Sequence, residues 1–227
     1  MICTKIPAKI LTLCRSFCLT SKSPVGCGHL DVNTIRFNCP EVQKIIGDSF
    51  TIKEDFISPL EEDNLVKEVE PVLKRYKYDD THIDNAIKQY REIEKSKWSV
   101  ENQLVIDRIR AIVFRPDEKI LQPVHILDLS VNGFIKPHLD SVKFCGPSIG
   151  GVSLLSDCIM RFTHDQNPSL SMDVWLKRRS LYIMRDESRY LFKHEILSAG
   201  DSKFGEITIP RSRRISIICR CFPKSTD

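Results

Sequence analysis

Residues 123–140 read PVHILDLSVNGFIKPHLD. The stretch holds two short apolar runs, 123–129 and 134–139, and the pair Asn132-Gly133 stands between them. An Asn-Gly pair between two such runs marks a turn that joins two β-strands. We therefore predict two neighbouring strands here, and the rest of the chain is interpreted from this starting point.

The same pattern continues towards the end of the chain. Short runs of apolar or alternating residues follow one another after Asp117, and polar segments with Asn, Asp or Pro separate them. Many short strands at such intervals indicate a β-sandwich or a barrel. The further predicted strands are 149–155, 158–163, 170–176, 180–184, 189–192 and 215–222.

The part before Asp117 carries helical signals instead. Ser58, Pro59 and Glu61 predict a helix start, with a capping serine, a proline in the first turn and a glutamate three residues after the cap. The helix extends to about Leu73, and Pro71 is expected to kink or divide it. The other predicted elements of this part are a strand over 50–57 and helices over 79–98 and 100–114.

These elements predict an α+β fold. Residues 121–227 are expected to form the β core, as a double-stranded β-helix or jelly roll, an arrangement in which strands from distant parts of the sequence can lie side by side. Residues 31–120 are expected to form a helical N-terminal extension that packs on this core. The charged helix over 79–98 is interpreted as a solvated face that carries no chemistry.

The excess positive charge of the chain lies at its beginning. The whole sequence has 34 basic and 30 acidic residues, and residues 1–30 contain four of the bases and no acid. The remainder is therefore neutral, without the basic excess of many nucleic-acid-binding domains. A basic, acid-free start that contains Ser and Thr is typical of a mitochondrial transit peptide, and a disordered basic N-terminus is the alternative.

Cysteine spacing argues against a zinc ribbon, and hydropathy argues against a membrane span. The nine cysteines include no Cys-x-x-Cys pair, so we expect no zinc ribbon. Their number is odd, and we interpret those after residue 30 as reduced thiols in a non-secretory compartment. No stretch of the sequence approaches the roughly 18 apolar residues of a membrane span.

His138 and Asp140 are separated by one residue at the end of a predicted strand. In an extended backbone, positions i and i+2 point to the same side, so the imidazole and the carboxylate converge. His194 follows another predicted strand and is a candidate for a third ligand. Two histidines and one carboxylate form the facial triad of non-haem Fe(II) oxygenases. Alone, the His-x-Asp triplet also fits an ordinary surface or core histidine.

A basic segment near the C-terminus provides a second set of candidates. Arg214, Ser216, Ile218 and Arg220 share one face of a predicted strand. The guanidinium of Arg214 suits a bidentate pair with a dicarboxylic co-substrate. Tyr182, in another predicted strand, either supplies a hydroxyl for a second contact with that carboxylate or belongs to the core.

Together these residues resemble the AlkB family of Fe(II)- and 2-oxoglutarate-dependent dioxygenases, and most of all its mitochondrial members from animals. That family carries His-x-Asp, a distal histidine and an Arg-x-Asn-x-Thr-x-Arg strand; this chain departs from it with Ser216 for Asn and Ile218 for Thr. The similarity covers nearly all of the chain after about residue 45. Its most specific stretches are FIKPHLDSVKFC (134–145), YLFKHEIL (190–197) and IPRSRRISIICR (209–220).

The resemblance implies roles for individual residues. His138, Asp140 and His194 are expected to bind Fe(II), with no catalytic residue beyond these ligands. 2-Oxoglutarate and O₂ are the implied co-substrates. The residues expected to bind 2-oxoglutarate are Tyr182, Arg214, Ile215, Ser216 and Arg220.

Some assignments remain open at the level of sequence. Arg220 alternatively faces the primary substrate. Ser141 and Glu195 are candidates for orienting the metal ligands only because of their position. The Asn-x-Tyr contribution that the family makes from the strand before His-x-Asp has no clear match in residues 125–131.

The resemblance also implies a biological setting. It indicates an enzyme of the mitochondrial matrix, linked to regulated necrosis and fatty-acid metabolism, that lacks the lid with which related proteins grip a flipped nucleotide. We expect a monomer that acts on a protein or another non-duplex substrate. The alternatives are a demethylase of methylated bases in mitochondrial RNA and a non-catalytic, metal-containing interaction module.

Overall fold

Antiparallel strands dominate the computed structural model, which describes residues 33–81 and 86–223. Within these residues, ten strands form one curled sheet and two short strands form a hairpin. No helix among them is long and apolar enough to cross a membrane. The strands are β1 (Ile35–Phe37), β2 (Phe50–Lys53), β3 (Ile87–Lys95), β4 (Val124–His138), β5 (Ser148–Leu154), β6 (Cys158–His164), β7 (Ser171–Leu176), β8 (Leu181–Arg185), β9 (Phe192–Ile196), β10 (Lys203–Phe204), β11 (Ile207–Thr208) and β12 (Arg214–Arg220). The helices are α1 (Pro40–Ile46), α2 (Pro59–Leu73), α3 (Val100–Val113) and α4 (Asp186–Tyr190), with a 3₁₀ turn at Gly47–Ser49.

β4 belongs to both halves of the curled sheet. Its first half pairs with β12, where Ile217 stands opposite Ile126, and its last residues pair with β9, where His194 stands opposite His138. The strand order is β1-β7-β6-β9-β4-β12-β5-β8-β2, and β3 pairs along β4. The sheet thus curls around an apolar core, and the predicted α+β jelly-roll fold is confirmed.

A bulge in the middle of β4 lies between its two halves. β3 pairs with both Leu129 and Phe134, so Gln89 alone faces the residues between them. An added Cβ on Gly133 would stand 2.8 Å from the carbonyl oxygen of Gln89, an approach that glycine alone permits. The predicted turn at Asn132-Gly133 is therefore wrong: this pair lies in a bulge within one 15-residue strand.

Alternate residues of β12 face two different apolar cores. Ile218 belongs to the core inside the curled sheet, whereas Ile215 and Ile217 belong to a second core on the outer face. Leu65 of α2 and Ile106 of α3 pack in this second core. The alternation follows from the two-residue period of a strand, and it explains how the helices pack on the sheet while the inner face of β12 stays available for a site.

The helix start predicted at Ser58 is confirmed. The hydroxyl of Ser58 accepts a hydrogen bond from the backbone N–H of Glu61 at 3.2 Å, and the Glu61 carboxylate accepts one from the N–H of Ser58 at 2.8 Å. This reciprocal pair is a capping box. α2 continues through Pro71 to Leu73, so the proline does not divide the helix. The helix predicted over 100–114 is also confirmed as α3.

The helix predicted over 79–98 is wrong, because residues Ile87–Lys95 form β3 and pair with β4. Residues 82–85 of the predicted helix lie outside the described residues. The strands β1 and β2 also join the sheet, so the segment 31–120 is not a purely helical extension of a separate β core. Pairing with a neighbouring strand overrides the helical preference of a Lys- and Glu-rich segment. The predicted transit peptide, 1–30, lies outside the described residues.

Asp128 connects β4 to its neighbours on the helix side. Its fully buried carboxylate accepts hydrogen bonds from Arg91 of β3 at 2.7 Å and from Arg213 at 2.7 and 2.9 Å. The hydroxyl of Tyr78 donates to it at 3.3 Å, and Arg213 also reaches Glu70 of α2 at 2.7 Å. The carboxylate of Asp128 therefore joins β4 to β3 and to the residue before β12, and Arg213 extends this network to α2.

Asp128→Ala is expected to lower the free energy of unfolding by about 3 kcal/mol, because the largely buried guanidinium of Arg91 loses its carboxylate and Arg213 keeps only Glu70. Equilibrium urea unfolding measures the change. The control is Glu54→Ala, which removes a carboxylate that is 39% exposed and pairs with Lys177, and it should cost about 1 kcal/mol or less. Equal losses in the two variants would contradict a special role for Asp128.

Candidate active site

Three potential metal ligands meet at the end of β4. His138 is the last residue of this strand and stands opposite His194 of β9, with ring centroids 4.4 Å apart. Asp140 follows just beyond the strand. One nitrogen of each imidazole and one oxygen of the carboxylate all lie within 4.8 Å of one another. The structure therefore brings together the three residues that the sequence suggested.

Hydrogen bonds and packing orient the two imidazoles. Nδ1 of His138 lies 2.9 Å from the carbonyl oxygen of Lys136. Because a carbonyl only accepts, a hydrogen bond here uses the proton on Nδ1, and Nε2 is then the ring nitrogen that can face a metal. The ring of His194 packs against Phe162 at a centroid distance of 6.1 Å, and its Nε2 lies 3.5 Å from a carboxylate oxygen of Asp140.

The electrostatics of the cluster favour the protonation states that bind metals. Burial alone would raise the pKa of Asp140, but His194, Arg220 and His138 outweigh it and lower that pKa to about 2. Burial, assisted by His138, lowers the pKa of His194 to about 3. At neutral pH Asp140 is anionic and His194 is neutral, which are the forms that coordinate a metal. Two imidazoles and one carboxylate fit the Fe(II) site of non-haem oxygenases.

A buried guanidinium stands in the same cavity. Arg214 is 1% exposed, and its Nε donates a hydrogen bond to the hydroxyl of Ser153 at 2.9 Å. Its Nη2 has no hydrogen-bond partner among the described residues. A buried cation with an unused donor is unfavourable unless a ligand supplies the acceptor. A carboxylate group of a small ligand fits this requirement.

The inner cavity between the two halves of the sheet contains nearly all of the predicted site. It is lined by His138, Asp140, His194, Tyr182, Arg214, Ser216 and Arg220, with apolar walls from Ile149, Met160, Met184 and Ile196. The exception is Ile215, whose side chain packs in the outer core between the sheet and the helices. The predicted contact of Ile215 with the co-substrate is therefore wrong for its side chain, because neighbouring residues of a strand face opposite sides.

The absence of a side chain at Gly151 leaves room for the ring of Tyr182 in this cavity. The two residues are directly paired between β5 and β8, and a Cβ on Gly151 would stand 2.6 Å from the phenolic oxygen. The tyrosine ring therefore lies close against the backbone of β5. Burial raises the pKa of Tyr182 to about 12, so the phenol keeps its proton and can donate it in a hydrogen bond to an anion.

Arg220 lies where the inner cavity meets a wider outer cleft. Its side chain lines both spaces, and its Nη2 is 3.4 Å from a carboxylate oxygen of Asp140. From this position Arg220 is close to the metal ligands and also reaches the outer cleft. The two roles considered for it from the sequence, towards the co-substrate or towards the primary substrate, are both compatible with its location.

The outer cleft includes residues that the sequence did not suggest. Glu92 and Glu94 of β3 line it, together with His125 of β4 and Phe144 beyond the triad. Nε2 of His125 lies 2.9 Å from a carboxylate oxygen of Glu92. The two glutamates had no signal in the sequence, because their segment was assigned to a helix and interpreted as a solvated face.

Ser141 and Glu195, which directly follow two of the potential metal ligands in the sequence, lie on different sides of the site. Ser141 lines the outer cleft. Glu195 follows His194 along β9 and so points to the opposite face of the strand, where it pairs in register with Arg161 of β6. Burial raises the pKa of Glu195, and Arg161 partly offsets this effect. Glu195 therefore does not face the cavity.

Comparison with known proteins defines the class of this site. The family model of the 2OG-Fe(II) oxygenase superfamily matches residues 130–220, a segment that includes the three potential metal ligands. A solved prolyl-4-hydroxylase from Pseudomonas putida has the same fold, with a TM-score of 0.55 and 13% identity; the match covers 82% of this chain and 100% of that one. Fold, donor set and family model together define a 2-oxoglutarate- and Fe(II)-dependent oxygenase.

Two curated relatives make the assignment more specific. They come from Mus musculus and Bos taurus and are named "Alpha-ketoglutarate-dependent dioxygenase alkB homolog 7, mitochondrial"; they are 49% and 47% identical over 179 residues, which are 79% of this chain and 81% of each relative. The chain belongs to this AlkB-homologue family of alpha-ketoglutarate-dependent dioxygenases. The predicted enzyme class is therefore confirmed, with Fe(II), 2-oxoglutarate and O₂. The relatives' names support a mitochondrial location.

Gly151→Ala is expected to lower the free energy of unfolding by about 1–3 kcal/mol, because the new methyl group overpacks the site against the Tyr182 ring. Chemical denaturation measures the loss. Gly200→Ala is the control: an added Cβ there would have its nearest neighbour at 3.9 Å, so the change should stay within about 0.5 kcal/mol. Wild-type stability of the Gly151→Ala protein would show that Tyr182 does not occupy this place.

Proposed function

We propose that His138, Asp140 and His194 are the Fe(II) ligands of this dioxygenase. The observation that carries the proposal is the convergence of their three ligand atoms within 4.8 Å in a cavity that also contains the buried guanidinium of Arg214. The low pKa of Asp140, about 2, and the neutral state of His194 support metal binding at physiological pH.

The proposed 2-oxoglutarate site lies beside these ligands. Arg214 offers the unused Nη2 donor to a carboxylate, and the phenol of Tyr182 offers a second donor. Ser216 and Arg220 line the same cavity and complete the polar surroundings. A dicarboxylate matches this set, because one end of the molecule would pair with the guanidinium of Arg214 while the other end would lie at the metal held by the three ligands.

Bound Fe(II), together with 2-oxoglutarate and O₂, supplies the oxidation of a substrate C–H bond, and 2-oxoglutarate leaves as succinate and CO₂. The contribution of the chain is to hold and orient. The bond from Nδ1 of His138 to the carbonyl of Lys136 would leave Nε2 as the nitrogen that holds the metal. The apolar walls from Ile149, Met160 and Met184 limit water around the reacting groups.

Asp140→Ala is expected to reduce O₂-dependent succinate formation from 2-oxoglutarate by at least about 100-fold, beyond the usual effect of losing an outer partner of a metal ligand. The assay follows anaerobic reconstitution with Fe(II), and equilibrium dialysis measures the bound metal. Asp165→Ala is the control, since this carboxylate pairs with Lys193 on the other side of β9. Equal succinate from wild type and Asp140→Ala would refute the assigned site.

We further propose that the primary substrate is a protein segment with basic side chains. Glu92 and Glu94 line the outer cleft and would attract such side chains while repelling a phosphodiester backbone. Phe144, 66% exposed at the same cleft, offers apolar contact. The neutral charge balance of residues 31–227 also argues against strong binding to nucleic acid.

Under this proposal, basic peptides stimulate succinate formation more than methylated single-stranded RNA does. Glu94→Lys should weaken stimulation by the peptide about two- to fivefold, as expected from one exposed ion pair. Glu101→Lys, which changes an exposed acid on α3 outside this cleft, should leave it unchanged. Stronger stimulation by the RNA would favour demethylation of mitochondrial RNA, and no turnover by the reconstituted wild type would favour a non-catalytic interaction module.

The proposed location is the mitochondrial matrix. The names of the relatives support the mitochondrion, and the basic, acid-free composition of residues 1–30 supports import into the matrix. We also propose that the enzyme acts as a monomer, because one chain contributes all the proposed ligands of the site. The link to regulated necrosis and fatty-acid metabolism stays a prediction from the family resemblance.

A further inference from the structure

Arg189 is a buried arginine for which the site described above has no role. It lies in α4 and is 1% exposed. Its Nη2 donates a hydrogen bond to the carbonyl oxygen of Cys145 at 3.4 Å, while Nε and Nη1 have no partner among the described residues. Burial of a guanidinium with so few partners is unfavourable, so the position calls for an explanation.

Arg189 has no paired charge in the part of the chain that the structure describes. No carboxylate there lies at ion-pair distance from it, and its guanidinium carbon lies 5.0 Å from the centroid of the Tyr190 ring. Within the described residues, its hydrogen bond is the one to the carbonyl oxygen of Cys145. The role of this buried cation is therefore sought at that contact.

The backbone contact of Arg189 joins two parts of the site. On one side, α4 leads directly into β9, the strand that carries His194. On the other side, Cys145 closes a turn that begins immediately after Asp140, because its N–H donates to the carbonyl of Ser141 at 2.9 Å. Arg189 therefore connects the segment after Asp140 with the segment before His194.

α4 is fixed independently of this contact. The backbone N–H of Ser188 donates to the hydroxyl of Ser49 at 3.0 Å, and the Ser188 hydroxyl donates to the carbonyl of Ser49 at 2.8 Å. Arg185 donates to the carbonyl of Ile112 at 2.9 Å and to that of Val113 at 2.6 Å. The helix is thus a firm support from which the guanidinium of Arg189 reaches the turn after Asp140.

We propose that Arg189 is a positioning residue that holds the turn 141–145, and with it the carboxylate of Asp140, in the place where the two histidines can share a metal with it. This inference rests on the proposed assignment of the metal ligands. Arg189 is not itself expected to touch the metal, 2-oxoglutarate or the primary substrate. Arg189 restricts the movement of Asp140, the one proposed ligand that does not lie in a strand.

Arg189→Met tests the inference through metal affinity and local protection, without any turnover. Binding of Co(II), used as a spectroscopic substitute for Fe(II), is expected to weaken about 10- to 100-fold, the usual effect of losing an outer partner of a metal site. Hydrogen exchange of the metal-free protein should show loss of protection at the amide of Cys145. Arg189→Lys keeps the charge and a donor and should recover part of both properties.

Arg185→Met is the matched control, because it removes another arginine that donates to backbone carbonyls, from the opposite end of the same short helix. It is expected to lower thermal stability but to leave Co(II) affinity within about threefold of wild type, well inside the loss expected for an outer partner. The inference is overturned if Arg189→Met, or Arg189→Lys should the first variant not fold, keeps wild-type affinity and protection. It is also overturned if Arg185→Met loses as much affinity. Absence of Co(II) binding in the wild type would instead refute the ligand assignment itself, and the role of Arg189 with it.

Discussion

The pairing of β4 with two different strands is the constraint on which the site depends. Its first half is joined to β12, which carries Arg214, and its end is joined to β9, which carries His194. The bulge at Gly133 lies between these two pairings. If β4 did not pair with both halves of the sheet, the guanidinium of Arg214 and the imidazole of His194 would not face the same cavity.

The cavity and the segments around it concentrate charged groups that an ordinary core would exclude. Arg214 and Arg189 are both 1% exposed, and each has donors without partners among the described residues. Asp140 stays anionic between imidazoles and guanidinium groups. Such a site is unfavourable for folding in isolation and persists only where the surroundings are well packed. Two apolar cores, one inside the curl and one beneath the helices, provide that packing.

Features with strong local signals could be predicted from the sequence. The i, i+2 rule joined His138 with Asp140 and placed Arg214 and Ser216 on one face of a strand. The same alternation places the side chain of Ile215 outside the cavity. Only the family resemblance had included Ile215 among the residues that bind 2-oxoglutarate. β3 could not be predicted, because its charged residues suit a helix or a strand equally well and its pairing with β4 is a non-local event. The acidic residues of the outer cleft were missed for the same reason.

The three proposed ligands differ in how they are attached to the fold. His138 and His194 form one rung of the sheet, whereas Asp140 lies just beyond its edge, before a turn held by bonds such as the one from Cys145 N–H to the Ser141 carbonyl. Opening of this turn withdraws the carboxylate without breaking any strand pair. A metal ion held by these three residues would therefore be released by a local opening of this turn, while the strand pairs of the sheet remain formed.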